Sequence, residues 1–298
     1  MMSEKNDFVR KLDKEIIKRL KNQSSLFEQL LQDAKLEKKA VFPAIRNNRI
    51  DFYFGGGKLF SYENDDFSTH YKYASVLVPK RKSPYIKENK LKDFRIIENY
   101  LEGYERIKEN CSLYAGVEAS GVSELYGKYS YLSPGRSVVV LDIEVALYSE
   151  EEKNRIDILL FDLETATLRF YEAKHYTNRE IWSQKDSEPP VVAQVKGYET
   201  TIKDNESHIV NTYKSYVKIL NELFDLTLPS PKAVDPNVGL LIFGFDQNQL
   251  DGRFQELLLK DNSLQGLYLY KVGDISKVEI DNLWKGTKLQ ERIVDCTS

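Results

Sequence analysis

The residues best suited to chemistry lie in two apolar segments near the middle of the chain. In LRFYEAKHY, Glu172 and Lys174 are two residues apart, so in a strand both side chains point to one face. Asp157 lies near the start of the preceding apolar segment, RIDILLFD. A turn over residues 163–166 would place the strand that contains Asp157 beside the strand that contains Glu172. Asp157 and Glu172 would then approach each other. Two carboxylates and an ammonium group suit metal-assisted attack on a phosphate, because hard divalent cations such as Mg²⁺ (or Mn²⁺) bind carboxylate oxygens.

A third apolar segment, VVVLDIEVALY, carries two further carboxylates, Asp142 and Glu144. Charges inside an apolar strand are costly unless they are paired, hydrated or bound to a cation. Glu144 has two interpretations, a site residue or a surface residue on an edge strand, and Asp142 is expected at the surface. In a metal site Lys174 would position the attacking water or stabilise the negative charge that develops on the phosphate.

The acid-x-lysine tripeptide is weak evidence by itself, because it occurs five times in this chain. Only the copy at residues 172–174 lies in an apolar strand that follows another apolar strand with an aspartate. The alternative to a site is an ordinary ion pair between Glu172 and Lys174 on the face of a strand.

Together these residues resemble the motifs of the PD-(D/E)XK nuclease superfamily. Asp157 matches the aspartate motif, and Glu172-Ala173-Lys174 matches the (D/E)XK motif. A following helical segment contains Gln194 and Tyr198 in QVKGY, which is similar to the Gln-x-x-x-Tyr motif of the exonuclease-like branch. The spacing of four residues places both side chains on one helical face.

The resemblance covers about residues 137–273 and implies the αβββαβ restriction-endonuclease-like core with a mixed central sheet. It implies a Mg²⁺-dependent enzyme that hydrolyses phosphodiester bonds in a nucleic acid, with DNA as the expected partner. The segment LDIEVAL is similar to the first strand in less characterised members, which favours Glu144 as the additional acid. Many members carry that acid on a helix before the first strand, so Glu118 and Glu124 are the alternatives.

The resemblance also implies a role for each matching residue. Asp157 and Glu172 would hold the metal together with Glu144, and Lys174 would assist the attacking water. Gln194 and Tyr198 would orient the lysine or the substrate backbone. No proline precedes Asp157, which departs from a common form of the motif.

Hydrophobic periodicity predicts the elements that must position these residues. Residues 6–33 indicate one or two amphipathic helices, and residues 40–73 indicate β-hairpins with turns at Asn47-Asn48 and Gly55-Gly56-Gly57. After Gly135 we expect a mixed sheet flanked by helices, which makes the fold class α/β (α+β). The expected strands are 137–148, 155–162, 167–175, 239–245 and 267–272, and the expected helices are 190–203, 207–224 and 249–259.

The basic stretch 79–95 is the best candidate for a linker, and a helix is expected from Leu91 to about Lys108. We therefore divide the chain into a helical and β-hairpin accessory region, 1–80, and a nuclease-like domain, 81–298. Lys80, Arg81 and Lys82 are either a solvated connection or a strip that contacts nucleic-acid phosphates.

Composition restricts the remaining alternatives. The chain has 298 residues, is 41% apolar and 30% charged, and has a net charge of −3, so a nucleic acid must bind a local basic patch. Two cysteines and three histidines predict neither a disulfide framework nor a zinc site, so the ligands of a bound metal must be oxygens. The chain has no apolar run long enough to span a membrane, which predicts a soluble cytoplasmic protein without a membrane partner.

Two functions of different classes follow from the sequence. The first is a metal-dependent nuclease that acts on DNA, for instance in defence or repair. The second is a catalytically inactive nuclease-like fold that binds a nucleic acid or a protein. Residues 1–80 would position the substrate or form the contact of a homodimer, and a third hypothesis gives them control of the nuclease by a ligand or partner.

Overall fold

The computed structural model describes residues 8–23, 25–36, 40–74, 83–93, 99–147, 155–183, 187–256, 264 and 266–286. The chain forms two compact units. The mixed-sheet unit consists of Met1–Phe8, Arg136–Asn211 and Pro231–Ser298, and the antiparallel-sheet unit consists of Val9–Gly135 and Thr212–Ser230. The boundary that we predicted at residue 80 lies outside the described residues.

The antiparallel-sheet unit opens with the two helices that the sequence predicts, and a five-stranded sheet follows. The helices are α1 (Lys14–Gln23) and α2 (Ser25–Ala34), and the strands pair in the order β1 (Phe42–Ile45), β2 (Arg49–Phe54), β3 (Gly57–Glu63), β4 (Asp66–His70) and β5 (Tyr85–Lys87). The expected hairpin turns are confirmed, and Gly55 and Gly56 have φ values of 56° and 89°, which favour glycine. At Gly56 a Cβ would also lie 2.5 Å from the backbone of Ala119.

Two further helices follow in this unit, α3 (Tyr104–Leu113) and α4 (Val117–Tyr129). The helix predicted from Leu91 to Lys108 is wrong at its start, because Glu88–Asp93 forms a 3₁₀-helix and the α-helix begins only at Tyr104. Residues 94–98 lie outside the described residues. The apolar spacing in this stretch therefore belongs to separate elements.

The mixed-sheet unit contains β6 (Val138–Ala146), β7 (Arg155–Asp162), β8 (Thr167–His175), β9 (Ala233–Val234), β10 (Gly239–Phe243) and β11 (Tyr268–Val272). The strand order is β11-β10-β8-β7-β6, and β9 pairs with β8. The pairs β6–β7 and β7–β8 are antiparallel, whereas β10 is parallel to both β8 and β11. The predicted mixed sheet and the α+β class are confirmed, and β7 and β8 have the bounds that the sequence predicts.

The helix that follows β8 is α5 (Pro190–Phe224). We predicted two helices here, 190–203 and 207–224, and a break between them is confirmed as a kink at Asn205, where φ is −130° and ψ is 17°. The side-chain amide of Asn205 donates to the carbonyl of Thr201 at 2.8 Å, so a local side-chain bond accompanies the kink. Pro190 at the first position starts the helix with a residue that needs no hydrogen-bond acceptor for a backbone N–H.

The last elements that the structure describes are short. The helix predicted over 249–259 is replaced, within the described residues, by α6 (Gln247–Gln249) and a π-helical turn at Leu250–Phe254. Strand β11 then precedes α7 (Ile280–Trp284). Among the described helices, none combines the length and the apolar character that a bilayer-spanning segment requires.

Candidate active site

Strands β7 and β8 separate at the residues that we expected to carry the chemistry. Their backbone ladder runs from Asp162 opposite Thr167 to Ile158 opposite Tyr171, and the next pair in this register is Asp157 and Glu172. Instead of extending the ladder, the Asp157 carboxylate accepts a hydrogen bond from the backbone N–H of Ala173 at 2.7 Å. Asp157 and Glu172 therefore follow the last pair of the ladder in register, and the charge of Glu172 acts on Asp157, in agreement with their predicted approach.

The carboxylates of Asp157 and Glu172 repel each other electrostatically. Glu172 is only 2% exposed and Asp157 is partly buried. Burial and the neighbouring charge of Glu172 raise the pKa of Asp157 well above its usual range, although the N–H of Ala173 acts in the opposite direction. A cation bound between the two carboxylates would relieve both effects.

Lys174 lies on the same face and is held by two carboxylates. Its Nζ is 2.9 Å from Oε1 of Glu172 and 2.6 Å from Oε2 of Glu180. Burial alone would lower the pKa of Lys174, but Glu172 and Glu180 outweigh burial and raise this pKa above its ordinary value. Lys174 is therefore an ammonium ion at neutral pH, and it cannot accept a proton from water.

Glu180 is the residue of this cluster that the sequence did not reveal. It lies in a 3₁₀-helix, Arg179–Ile181, whose N-cap Asn178 accepts a hydrogen bond from the backbone N–H of Glu180 at 2.8 Å. The only sequence signal is a capping residue, which predicts a helical turn and says nothing about a partner for Lys174.

Helix α5 supplies the pair that matched the Gln-x-x-x-Tyr motif. The side-chain amide of Gln194 donates to Oε1 of Glu172 at 2.9 Å and to the Tyr198 hydroxyl at 3.0 Å. The Tyr198 hydroxyl donates in turn to the backbone carbonyl of Arg155 at 3.0 Å. Burial and the charge of Glu172 raise the pKa of Tyr198 to about 12, so the phenol keeps its proton at neutral pH. Gln194 and Tyr198 therefore lie on one face of α5, as predicted, and Gln194 contacts the site by its hydrogen bond to Glu172.

Glu144 is opposite Asp157 in the sheet but is turned by an irregular backbone. Its neighbours Ile143 and Val145 pair with Ile158 and Ile156, and Glu144 itself has a φ of 50°. Such a conformation is strained for a residue other than glycine. The Glu144 carboxylate is 3.8 Å from the Arg155 guanidinium, and the side chain is 38% exposed.

The expectation that Asp142 lies at the surface is wrong. Asp142 is fully buried, and its carboxylate accepts a hydrogen bond from the adjacent backbone N–H of Ile143 at 2.9 Å. The pairing of β6 with β7 shifts between Val140 and Asp142, so a bulge changes the regular alternation that the prediction assumed.

Two of the site residues have side chains that are suitable ligands for a hard cation such as Mg²⁺. Asp157 and Glu172 offer adjacent carboxylate oxygens, and Mg²⁺ often takes only one or two carboxylates with water and substrate phosphate as its other ligands. Within the described residues, no group of three or more Asp, Glu, His and Cys side chains is arranged as a metal site. The charges of Glu172 and Glu144 both act on Asp157, and Glu144 also lies beside Arg155.

The remaining predicted residues are two acids of α4 and three basic residues. Glu118 and Glu124, the alternative additional acids, lie on α4 in the antiparallel-sheet unit. Lys80, Arg81 and Lys82, the predicted phosphate contacts, lie outside the described residues.

Comparison with models of known protein families, with curated proteins and with solved structures finds no match to this chain. The resemblance to PD-(D/E)XK nucleases is therefore a prediction that depends on the residues and their geometry alone. The evidence for a function is the arrangement of Asp157, Glu172 and Lys174 with the partners that α5 provides.

Proposed function

We propose that this protein is a metal-dependent nuclease that hydrolyses phosphodiester bonds in DNA. The observation that supports the proposal most is the Asp157–Glu172 pair, in which two acids face each other beside the ammonium group of Lys174. In the mixed-sheet unit, the order β6, β7, β8, the first part of α5 and β10 supports the βββαβ part of the core that the resemblance implies.

In this proposal Asp157 and Glu172 hold a Mg²⁺ or Mn²⁺ ion. When bound, the cation would supply Lewis-acid chemistry, because it lowers the pKa of water and offsets negative charge on a phosphate. The raised pKa of Asp157 supports this role, since the pair gains most from a ligand that carries positive charge. Gln194 fixes Oε1 of Glu172, so this carboxylate is oriented before a ligand arrives.

Lys174 has an electrostatic role in this proposal. It remains protonated, so it can orient the attacking water and stabilise negative charge on the phosphoryl oxygens. The attacking water loses a proton to solvent and its oxygen forms a bond to phosphorus. The bond from phosphorus to the leaving oxygen breaks, and solvent supplies a proton to the leaving oxygen. Glu180 positions Lys174 through its second ion pair and does not contact the reacting atoms.

Cleavage assays with defined substrates test the proposal. Linear, circular and single-stranded DNA, and RNA, are incubated with the wild type or with Asp157→Ala in Mg²⁺, Mn²⁺ or EDTA. We expect metal-dependent cleavage of DNA that Asp157→Ala loses and that Asp204→Ala, at an exposed aspartate of α5, keeps. Cleavage of circular DNA would establish endonuclease action, and equal cleavage by the wild type and Asp157→Ala would overturn the proposal.

A second candidate is a nuclease-like fold that binds a nucleic acid or a protein without cutting. Two observations favour it: among the described residues no three-residue metal group is formed, and Lys174 is engaged by two carboxylates. No cleavage with any substrate, together with no binding of Mn²⁺ in calorimetry, would support this candidate against the nuclease.

A further inference from the structure

A cluster of aromatic rings in the antiparallel-sheet unit is centred on His70. The His70 ring lies 4.7 Å from Tyr71, 5.3 Å from Tyr73 and 5.8 Å from Tyr85, measured between ring centroids. Tyr73 lies 6.3 Å from Tyr114, at the carboxyl end of α3. We call these five residues the ring cluster, and all of them belong to one compact unit.

The outer rings of the cluster are unusually accessible. Tyr85 is 41% exposed and Tyr114 is 59% exposed, whereas most of the large aromatic side chains of the described structure are buried. Leu113 and Val117, which flank Tyr114 along the chain, are 78% and 63% exposed. Exposed aromatic side chains beside basic ones are a common feature of binding sites for single-stranded nucleic acids.

Two lysine side chains place positive charge directly over these rings. The Nζ of Lys58 is 4.7 Å from the centroid of the Tyr85 ring, and the Nζ of Lys72 is 5.5 Å from that of Tyr114. Within the described part of the chain, neither lysine forms a salt bridge with a carboxylate. The charge of Lys72 is therefore available to an anionic ligand that also offers flat rings, and Lys58, whose charge also acts on Asp51, adds to the positive potential there.

The inner part of the cluster is fixed by hydrogen bonds. The backbone N–H of Lys72 donates to Nδ1 of His70 at 3.1 Å, and the side-chain amide of Asn110 donates to the backbone carbonyl of Tyr73 at 2.8 Å. Burial and the nearby charge of Lys72 lower the pKa of His70, so its ring is neutral at neutral pH. Tyr85 and Tyr114 therefore pack against residues that are held in place by hydrogen bonds. This order reduces the conformational entropy that is lost when a ligand binds.

We propose that the ring cluster is a binding site for single-stranded nucleic acid, with bases stacked on Tyr85 and Tyr114 and phosphates beside Lys58 and Lys72. Exposed aromatic rings combined with basic side chains are the arrangement by which proteins bind single strands without reading sequence. The proposal takes its class of ligand from the proposed function, but binding is measurable without cleavage. A duplex keeps its bases stacked on one another, so this site favours single strands.

Fluorescence anisotropy on the full chain in EDTA tests the proposal. The probes are a labelled oligothymidylate and a labelled duplex of the same length. We expect tighter binding of the single strand, about tenfold weaker binding for each of Tyr85→Ala and Tyr114→Ala, and near wild-type binding for Tyr114→Phe, which keeps the ring. Lys72→Ala should reduce the salt dependence by about one phosphate contact, whereas Lys214→Ala, an exposed lysine of α5, should not.

The outcomes separate this proposal from the proposed function. Ring-dependent binding in a protein that never cuts DNA would support the ring cluster and overturn the nuclease. Metal-dependent cleavage with single-strand affinity that is unchanged in Tyr85→Ala and Tyr114→Ala would overturn the ring cluster alone. Absence of nucleic-acid binding, with concentration-dependent self-association that Tyr114→Ala abolishes, would assign the surface to a protein contact and also overturn the ring cluster.

Discussion

The two units of the molecule shift the pKa of an aspartate on their sheets in opposite directions. In the antiparallel-sheet unit, Asp51 is 1% exposed and accepts hydrogen bonds from Arg49 at 2.9 and 3.1 Å and from the hydroxyl of Ser61 at 2.7 Å. Burial by itself would raise the pKa of Asp51, but the charges of Lys58, Arg49 and Arg46 lower the pKa below its usual value. In the mixed-sheet unit, Asp157 faces Glu172 and its pKa is raised.

This difference separates a structural acid from a candidate site. The protein itself supplies Asp51 with cations and donors, so Asp51 needs nothing further in order to remain ionised. Asp157 and Glu172 share one ammonium group, that of Lys174, and Lys174 also pairs with Glu180. An acid that faces another acid must be protonated or bind a cation, and perturbed acids of this kind concentrate at functional sites.

The largest expected effect concerns Lys174. Lys174→Ala removes the only ammonium group that the described structure places beside Glu172, so we expect cleavage to fall by about a thousandfold, which corresponds to about 4 kcal/mol in the barrier. Fold and nucleic-acid affinity should be retained. Lys196→Ala, at an exposed lysine of α5 paired with Glu188, is the matched control for a lost charge. Unchanged turnover in Lys174→Ala would remove Lys174 from the mechanism.

Asp51→Asn tests whether Asp51 contributes to stability and not to cleavage. The substitution removes the negative charge that pairs with Arg46 and Arg49. We expect the free energy of unfolding to decrease by about 2 kcal/mol. This decrease is smaller than for a fully buried ion pair, because Arg49 is partly exposed. In a chain of this size the melting temperature should fall by about 5 °C. Cleavage per folded molecule should be unchanged, and a selective loss of cleavage would contradict the assignment of Asp51 to structure.

The basic strip Lys80–Lys82, which lies outside the described residues, is expected to contribute to binding and not to chemistry. Replacing all three residues by alanine should weaken DNA binding about tenfold at moderate salt and flatten the slope of affinity against salt by about 2 to 3. The rate at saturating substrate should not change. A control that replaces Lys14, Lys18 and Arg19 of α1 removes the same charge. An identical salt slope would make the strip a linker.

The smallest expected effect has a defined pH dependence. A carboxyl group whose pKa is raised by folding binds its proton more tightly in the folded state, so the free energy of unfolding decreases as pH rises from about 4, the unfolded value, to the raised value. Asp157→Asn removes this penalty, and in EDTA at neutral pH it should raise the free energy of unfolding by about 1 kcal/mol and the melting temperature by about 2 to 4 °C. The gain should disappear below about pH 4. Equal or lower stability of Asp157→Asn at neutral pH would contradict the repulsion between Asp157 and Glu172.

The sequence predicted the part of the site that depends on regular periodicity. The period-2 alternation and a short turn were enough to predict β7 and β8 and the approach of Asp157 to Glu172, and the spacing of four residues predicted a common face for Gln194 and Tyr198. These relations follow from strand and helix geometry, which does not depend on the rest of the fold.

The parts that the sequence did not predict depend on irregular backbone and on long-range contacts. The bulge before Asp142 and the positive φ of Glu144 break the alternation, so one acid is buried and the other pairs with Arg155. Glu180 reaches Lys174 from a short 3₁₀-helix, and such a turn has no periodicity that would indicate its partner. The ring cluster likewise assembles from separated segments, so composition alone did not single out any tyrosine.

The most direct test of the central claim is a calorimetric titration of the wild type and of Asp157→Asn with Mn²⁺. We expect the wild type to bind Mn²⁺ and Asp157→Asn to lose that binding, because the pair of carboxylates is the proposed cation site. We expect unchanged binding in Asp51→Asn, because the Asp51 carboxylate accepts hydrogen bonds from Arg49 and Ser61 within the protein. Absence of Mn²⁺ binding by the wild type, or equal binding by Asp157→Asn, would contradict the account.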